Sequence, residues 1–121
     1  MGVRNYRDLV VWQKAMEFVE AVYLLSREFP ADERFALTNQ LRRAAVSVPS
    51  NIAEGEGRFS KPDFKRFLSM ALGSLREAET QIEIATRLTY CEHDAAGRAL
   101  LLADEVGRLI RGLAKSLSTD A

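Results

Sequence analysis

Apolar residues recur along the chain at steps of three and four, and period-two alternation is nowhere sustained, so the pattern predicts helices and no strand. The first helix is expected from about Asp8, a suitable N-cap, to Arg27. Two apolar stripes run along it side by side. One is Leu9, Trp12, Met16, Val19 and Tyr23; the other is Val11, Ala15, Phe18, Val22 and Leu25. Together they cover roughly half the circumference, more than the ~100° that a surface helix requires. One arc serves a core. The surplus is either a subunit interface or the wide face that a small bundle needs.

After a break at Pro30, a second helix is predicted to run to about Glu54, capped by Asp32 or Thr38. Leu37, Leu41, Ala44, Val48 and Ile52 form its apolar stripe. Beside that stripe lies a seam in which every member is polar: Gln40, Arg43, Ser47, Asn51 and Glu54. Pro49 cannot donate to the carbonyl of Ala45 and crowds that turn, so it is expected to kink or divide the helix. Gly55-Glu56-Gly57 is read as the stop, because glycine readily takes a left-handed terminal conformation.

Ser60-Lys61-Pro62-Asp63 opens a third helix, with serine as N-cap and proline in the first turn. Its stripe is Phe64, Phe67, Leu68, Ala71, Leu75, Ala78, Ile82 and Ala85, widened by Met70, Ile84 and Leu88, and it is expected to end near Leu88. A fourth helix is predicted from about Asp94 to Leu117, on Ala99, Leu102, Ala103, Val106, Leu109, Ile110, Leu113 and Leu117. Four amphipathic helices with short connections read as an all-α, antiparallel up-down-up-down four-helix bundle, with the second helix kinked near Pro49. At 121 residues and 47% hydrophobic, the chain is expected to fold as one domain over residues 1–121.

Charge narrows the function classes. The 17 basic and 17 acidic residues cancel, which argues against indiscriminate nucleic-acid binding. One cysteine, Cys91, precludes an internal disulfide and fits a reducing compartment. Met1 to Asp8 is polar and charged, so no signal peptide is expected, and no apolar run approaches the ~20 residues of a membrane span. A cytoplasmic protein without a membrane partner is the expectation.

Catalytic groups are sparse. His93 stands in a predicted loop beside acids, Ser47 and Ser50 have no histidine on the same element, and Cys91 reads as a small hydrophobe. Glu77, Glu79 and Glu83 lack the Glu-x-x-His pairing of a di-iron bundle. Gly55-Glu56-Gly57 lacks the strand and lysine of a phosphate loop. No enzyme activity, metal or cofactor is expected.

Two binding features remain. From Arg42 to Arg66 six basic residues face three acidic ones, and Arg42, Arg58, Lys61, Lys65 and Arg66 form a candidate nucleic-acid patch near Phe59; the alternative is a solvated corner. The seam of the second helix is either a buried network or a surface stripe for a partner. As a network, Arg43, Ser47, Asn51 and Glu54 would be buried and bonded to one another or to Glu77 or Glu79. Glu54→Ala would then cost several kcal/mol by stranding a buried arginine.

Three segments carry a resemblance to a known family: Tyr6-Arg7-Asp8-Leu9-Val10-Val11-Trp12-Gln13-Lys14-Ala15, the run from Leu37-Thr38 through Gln40-Leu41-Arg42-Arg43 to Ala53-Glu54-Gly55, and Ala71-Leu72-Gly73-Ser74-Leu75 with Glu77 and Glu79-Thr80. They resemble the bacterial four-helix-bundle proteins encoded in intervening sequences of large-subunit ribosomal RNA genes. The resemblance implies a four-helix bundle and a ring-shaped homopentamer. A related member is the accessory protein of diversity-generating retroelements, which is strongly basic and binds nucleic acid and a reverse transcriptase; the present chain departs from it in its balanced charge. The function expected is a non-enzymatic oligomeric scaffold or adaptor, the alternative a module that binds structured RNA or DNA.

Overall fold

The computed structural model describes residues 5–119. Among them are four α-helices, α1 (Val10–Ser26), α2 (Leu37–Glu56), α3 (Lys61–Arg87) and α4 (His93–Thr119), and no strand. Each helix packs on two others: α1 on α2 and α4, and α3 on α2 and α4, while the diagonal pairs do not touch. The arrangement is a four-helix bundle around one apolar core, in which Phe18, Leu41, Ile52, Leu68, Leu75, Ile82 and Ile110 are completely enclosed.

The core resolves the double stripe of α1. Val11, Ala15, Phe18, Val22 and Leu25 are the buried arc, whereas Met16 and Tyr23 are each 39% exposed and Leu9, Trp12 and Val19 are half-buried. On α3 the residues that widen the stripe, Met70, Ile84 and Leu88, likewise face outward.

Helix starts differ from expectation at two places. Asp8 belongs to a short 3-10 turn, Tyr6–Asp8, capped by Asn5, and α1 begins after Leu9 without a side-chain cap. At α2 the cap is Ala36, and neither Asp32 nor Thr38 caps it; the Glu33 carboxylate accepts from the Leu37 amide at 3.1 Å instead. A short 3-10 turn, Ala31–Glu33, swings that longer side chain back to the orphan amide, so a residue outside the cap position does the work. Ser60 caps α3 as its sequence predicts, accepting from the Asp63 amide at 3.2 Å.

Pro49 lies inside an unbroken α2 and is buried. It does not divide the helix, because Val48 and Ile52 on either side are fully enclosed and fix the backbone. The helix stops at the expected glycines, but without the expected left-handed conformation. Among the described residues no glycine takes a positive φ, and Gly57 closes the helix at φ −78°. Gly55 is a buried helical residue whose missing side chain matters: a Cβ there would stand 2.8 Å from the Phe67 Cβ and 2.9 Å from the Phe64 ring. Glycine therefore lets the last turn of α2 lie against the first turns of α3. The residue that does take a left-handed conformation is Thr89, φ 58°, after α3, where the Tyr90 amide closes on the Ala85 carbonyl at 2.9 Å.

Candidate functional site

Helix α2 lies between α1 and α3, and the two grooves flanking it differ in chemistry. Toward α3, Ser47 and Asn51 are held by short polar contacts. The Asn51 amide donates to both the carbonyl and the hydroxyl of Ser47 at 2.9 Å, and the Ser47 hydroxyl meets that of Ser74 on α3 at 2.9 Å. Asn51 is 8% exposed, whereas Ser47 and Ser74 are half-buried, so this hydrogen-bonded trio runs from the contact to the edge of a groove.

The rest of the predicted seam is not buried. Gln40, Arg43 and Glu54 are exposed, Arg43 and Glu54 form no ion pair with each other, and neither bonds Glu77 or Glu79. Side-chain length explains the split. Serine and asparagine end within the helix–helix gap, whereas the longer charged groups reach past it into water, where hydration costs nothing to keep. Gln40 and Arg43 line an open groove of about 440 Å³ with Asn39, Ser74 and Glu77. Glu79 pairs instead with Arg76 at 2.8 Å, on the side of α3 toward Gly107 of α4. Gln81 donates to Glu77 at 3.1 Å, which leaves its buried Oε1 without a partner.

Toward α1, the groove is apolar. Tyr6, Trp12, Met16 and Val19 face Val46, Pro49 and Ala53 across about 330 Å³ of open space. Val46 is 40% exposed. Ser50 sits on this rim, distant in role from any histidine, since His93 is an exposed residue opening α4.

The predicted basic patch divides. Arg42 lies at the opposite end of α2, where its guanidinium donates to Ser26 at 2.8 Å and covers the Tyr23 ring at 4.5 Å. Fourteen helical steps at ~1.5 Å each put it about 21 Å from the end of α2, just beyond which Arg58 lies. Arg58 and Arg66 both stack on Phe67, at 4.5 and 4.7 Å, and Arg66 also neighbours Asp63 at 3.9 Å. Lys61 and Lys65 turn toward α4 instead, and Lys65 donates to Ser118. Phe59, between the two groups, is 106% exposed.

At the far end of the bundle the two inter-helix connections are tied together. Tyr90 donates to Glu33 at 2.8 Å and packs on Phe29, so one carboxylate serves both the α2 start and the α3–α4 turn. That hydrogen bond to a carboxylate raises the Tyr90 phenol above its ordinary value. Burial raises the Cys91 thiol, opposed by its contact with Thr86. A thiol held protonated is a poor nucleophile. Among the described residues no group of three or more His, Cys, Asp or Glu side chains gathers as metal ligands would, and no helix is long and apolar enough to cross a membrane.

A family model described as 23S rRNA-intervening sequence protein matches residues 7–112. Among solved structures, a protein of unknown function from the S23 ribosomal protein family of Bacteroides thetaiotaomicron is similar, with a TM-score of 0.81 and 26% identity over 88% of this chain and 99% of that one. No curated protein matches the chain.

Proposed function

From the premise that the chain belongs to the 23S rRNA-intervening sequence protein family, we propose that it is a non-enzymatic, self-associating scaffold or adaptor. The observation that carries this reading is the apolar groove between α1 and α2, where Met16 and Val46 stay about two-fifths exposed. Contiguous apolar surface left open on a folded chain marks a place where another surface docks. The family resemblance gives the occupant as further copies of the chain, arranged as a homopentameric ring of single-domain subunits in the bacterial cytoplasm. A ring uses a heterologous contact, in which this groove meets a different face of the next copy.

Light scattering at tens of micromolar tests the reading, and a strict monomer removes it. Met16→Glu with Val46→Glu is expected to dissociate the assembly while each chain remains helical, because neither side chain is in the enclosed core.

A second reading, an accessory module that binds nucleic acid, is supported by Lys61, Lys65 and the fully exposed Phe59 at one corner of the bundle. A ring would present that corner once per subunit, so weak single contacts gain by avidity.

A further inference from the structure

We propose that the groove between α3 and α4, at the Lys61 end of the bundle, binds single-stranded nucleic acid, with Phe59, two residues before Lys61, stacking a base. The inference rests on the second reading above and gives it a site.

Two depressions share the side chain of Lys65. One, of about 470 Å³, is bounded by Lys61, Lys65 and Leu117; the other, of about 300 Å³, continues past Lys65 to Leu72 and Arg111. They adjoin at Lys65, one at the start of α3 and the other farther along α3 and α4. Lys65 and Arg111 come from two helices far apart in sequence, and among the described residues no aspartate or glutamate lines either part. In a chain of zero formal charge, such a one-signed lining is a local field that attracts an anion. Lys65 donates to Ser118 of α4, and its side chain borders both depressions.

The floor distinguishes a strand from a simple anion. Leu72 and Leu117 give the two depressions apolar patches between the cations, suited to a chain that alternates phosphate with sugar and base. Phe59, two residues before Lys61, is wholly exposed on the α2–α3 turn. An aromatic ring there has no packing role and presents its faces to solvent. Bases stack on such rings without sequence preference, whereas paired bases in a duplex already have both faces covered. Arg58 and Arg66 are occupied on Phe67 and line neither depression.

Fluorescence anisotropy with labelled oligothymidylate, oligouridylate and a hairpin duplex, over a range of salt, tests the site. Binding of the single strands is expected to fall with salt. Lys65→Gln with Arg111→Gln should weaken it roughly ten-fold or more and lower the slope of log K against log salt by about 0.7 per lost phosphate contact. Phe59→Ala should weaken it roughly ten-fold with the slope unchanged, since stacking releases no counterions, and Phe59→Trp should restore it. Arg43→Glu, on the α2–α3 side, should change nothing. Strands that bind the Lys65 and Arg111 variant normally but lose affinity with Arg43→Glu overturn the site and leave the nucleic-acid reading standing. Absence of binding by every nucleic-acid probe overturns both. Capture of phosphatidylserine vesicles without strand binding overturns the proposal in favour of a lipid headgroup.

Discussion

The two grooves beside α2 invert the usual relation of polarity to burial. On the α3 side, a polar trio, Ser47, Asn51 and Ser74, lies within the contact. On the α1 side, Trp12, Met16, Val19 and Val46 line open space. The difference teaches that cover is decided by fit and satisfaction. Short polar groups that bond one another can be enclosed at little net cost. Apolar groups on a surface with no neighbour of matching shape stay open until another surface arrives. The α2–α3 contact is tight at the Gly55 end, where a Cβ would meet Phe64 and Phe67, and it opens toward Gln40 and Arg43 into the polar groove of about 440 Å³.

The strongest test of that close approach is Gly55→Ala. The added methyl would meet the Phe67 Cβ at 2.8 Å and the Phe64 carbonyl at 3.2 Å, both tied to backbone that cannot swing away. Overpacking of this kind is expected to destabilise by about 2–3 kcal/mol in urea titration. A neutral result would show that α2 and α3 can separate freely at that end.

Asn51→Ala sharpens the comparison next. It removes two hydrogen bonds inside the contact and leaves Ser47 with Ser74 alone, for an expected loss of about 1–2 kcal/mol. If the loss matches that of a surface substitution, the trio does not hold the helices together.

Glu54→Ala has the smallest expected effect. Its side chain is exposed and makes no hydrogen bond or ion pair with any described residue, so stability should change by less than about 0.5 kcal/mol. A loss of several kcal/mol in the isolated chain would return Glu54 to a buried network and contradict its position on the rim. A loss that appears only in the assembled protein would instead place the rim of α2 in a subunit contact.

Helix number, helix type and nearly all of the core were legible in the sequence. Period and step length are local properties: Leu41, Val48 and Ile52, or Leu68, Leu75 and Ile82, share a face whatever surrounds them. The start of α3 was legible for the same reason, since Ser60 acts on an amide three residues away. The start of α2 was not, because Glu33 reaches it only after a 3-10 turn has folded the chain back. The seam was legible as a stripe but not as a boundary. Helical spacing places Arg43, Ser47 and Glu54 together, and only the position of Ser74 on a separate helix decides that Ser47 is half-buried and bonded while the two charged residues are exposed. The membership of the basic patch was legible only in part, for a related reason. Proximity in sequence joined Arg42 to Lys61, although about one helix length separates them, and nothing in sequence joined Lys65 to Arg111. The sequence by itself determined which faces of each helix are apolar, because that depends on residue spacing alone. The tertiary structure alone decided which of those faces are covered and which cations share a groove, because both depend on what a different helix brings within a few ångströms.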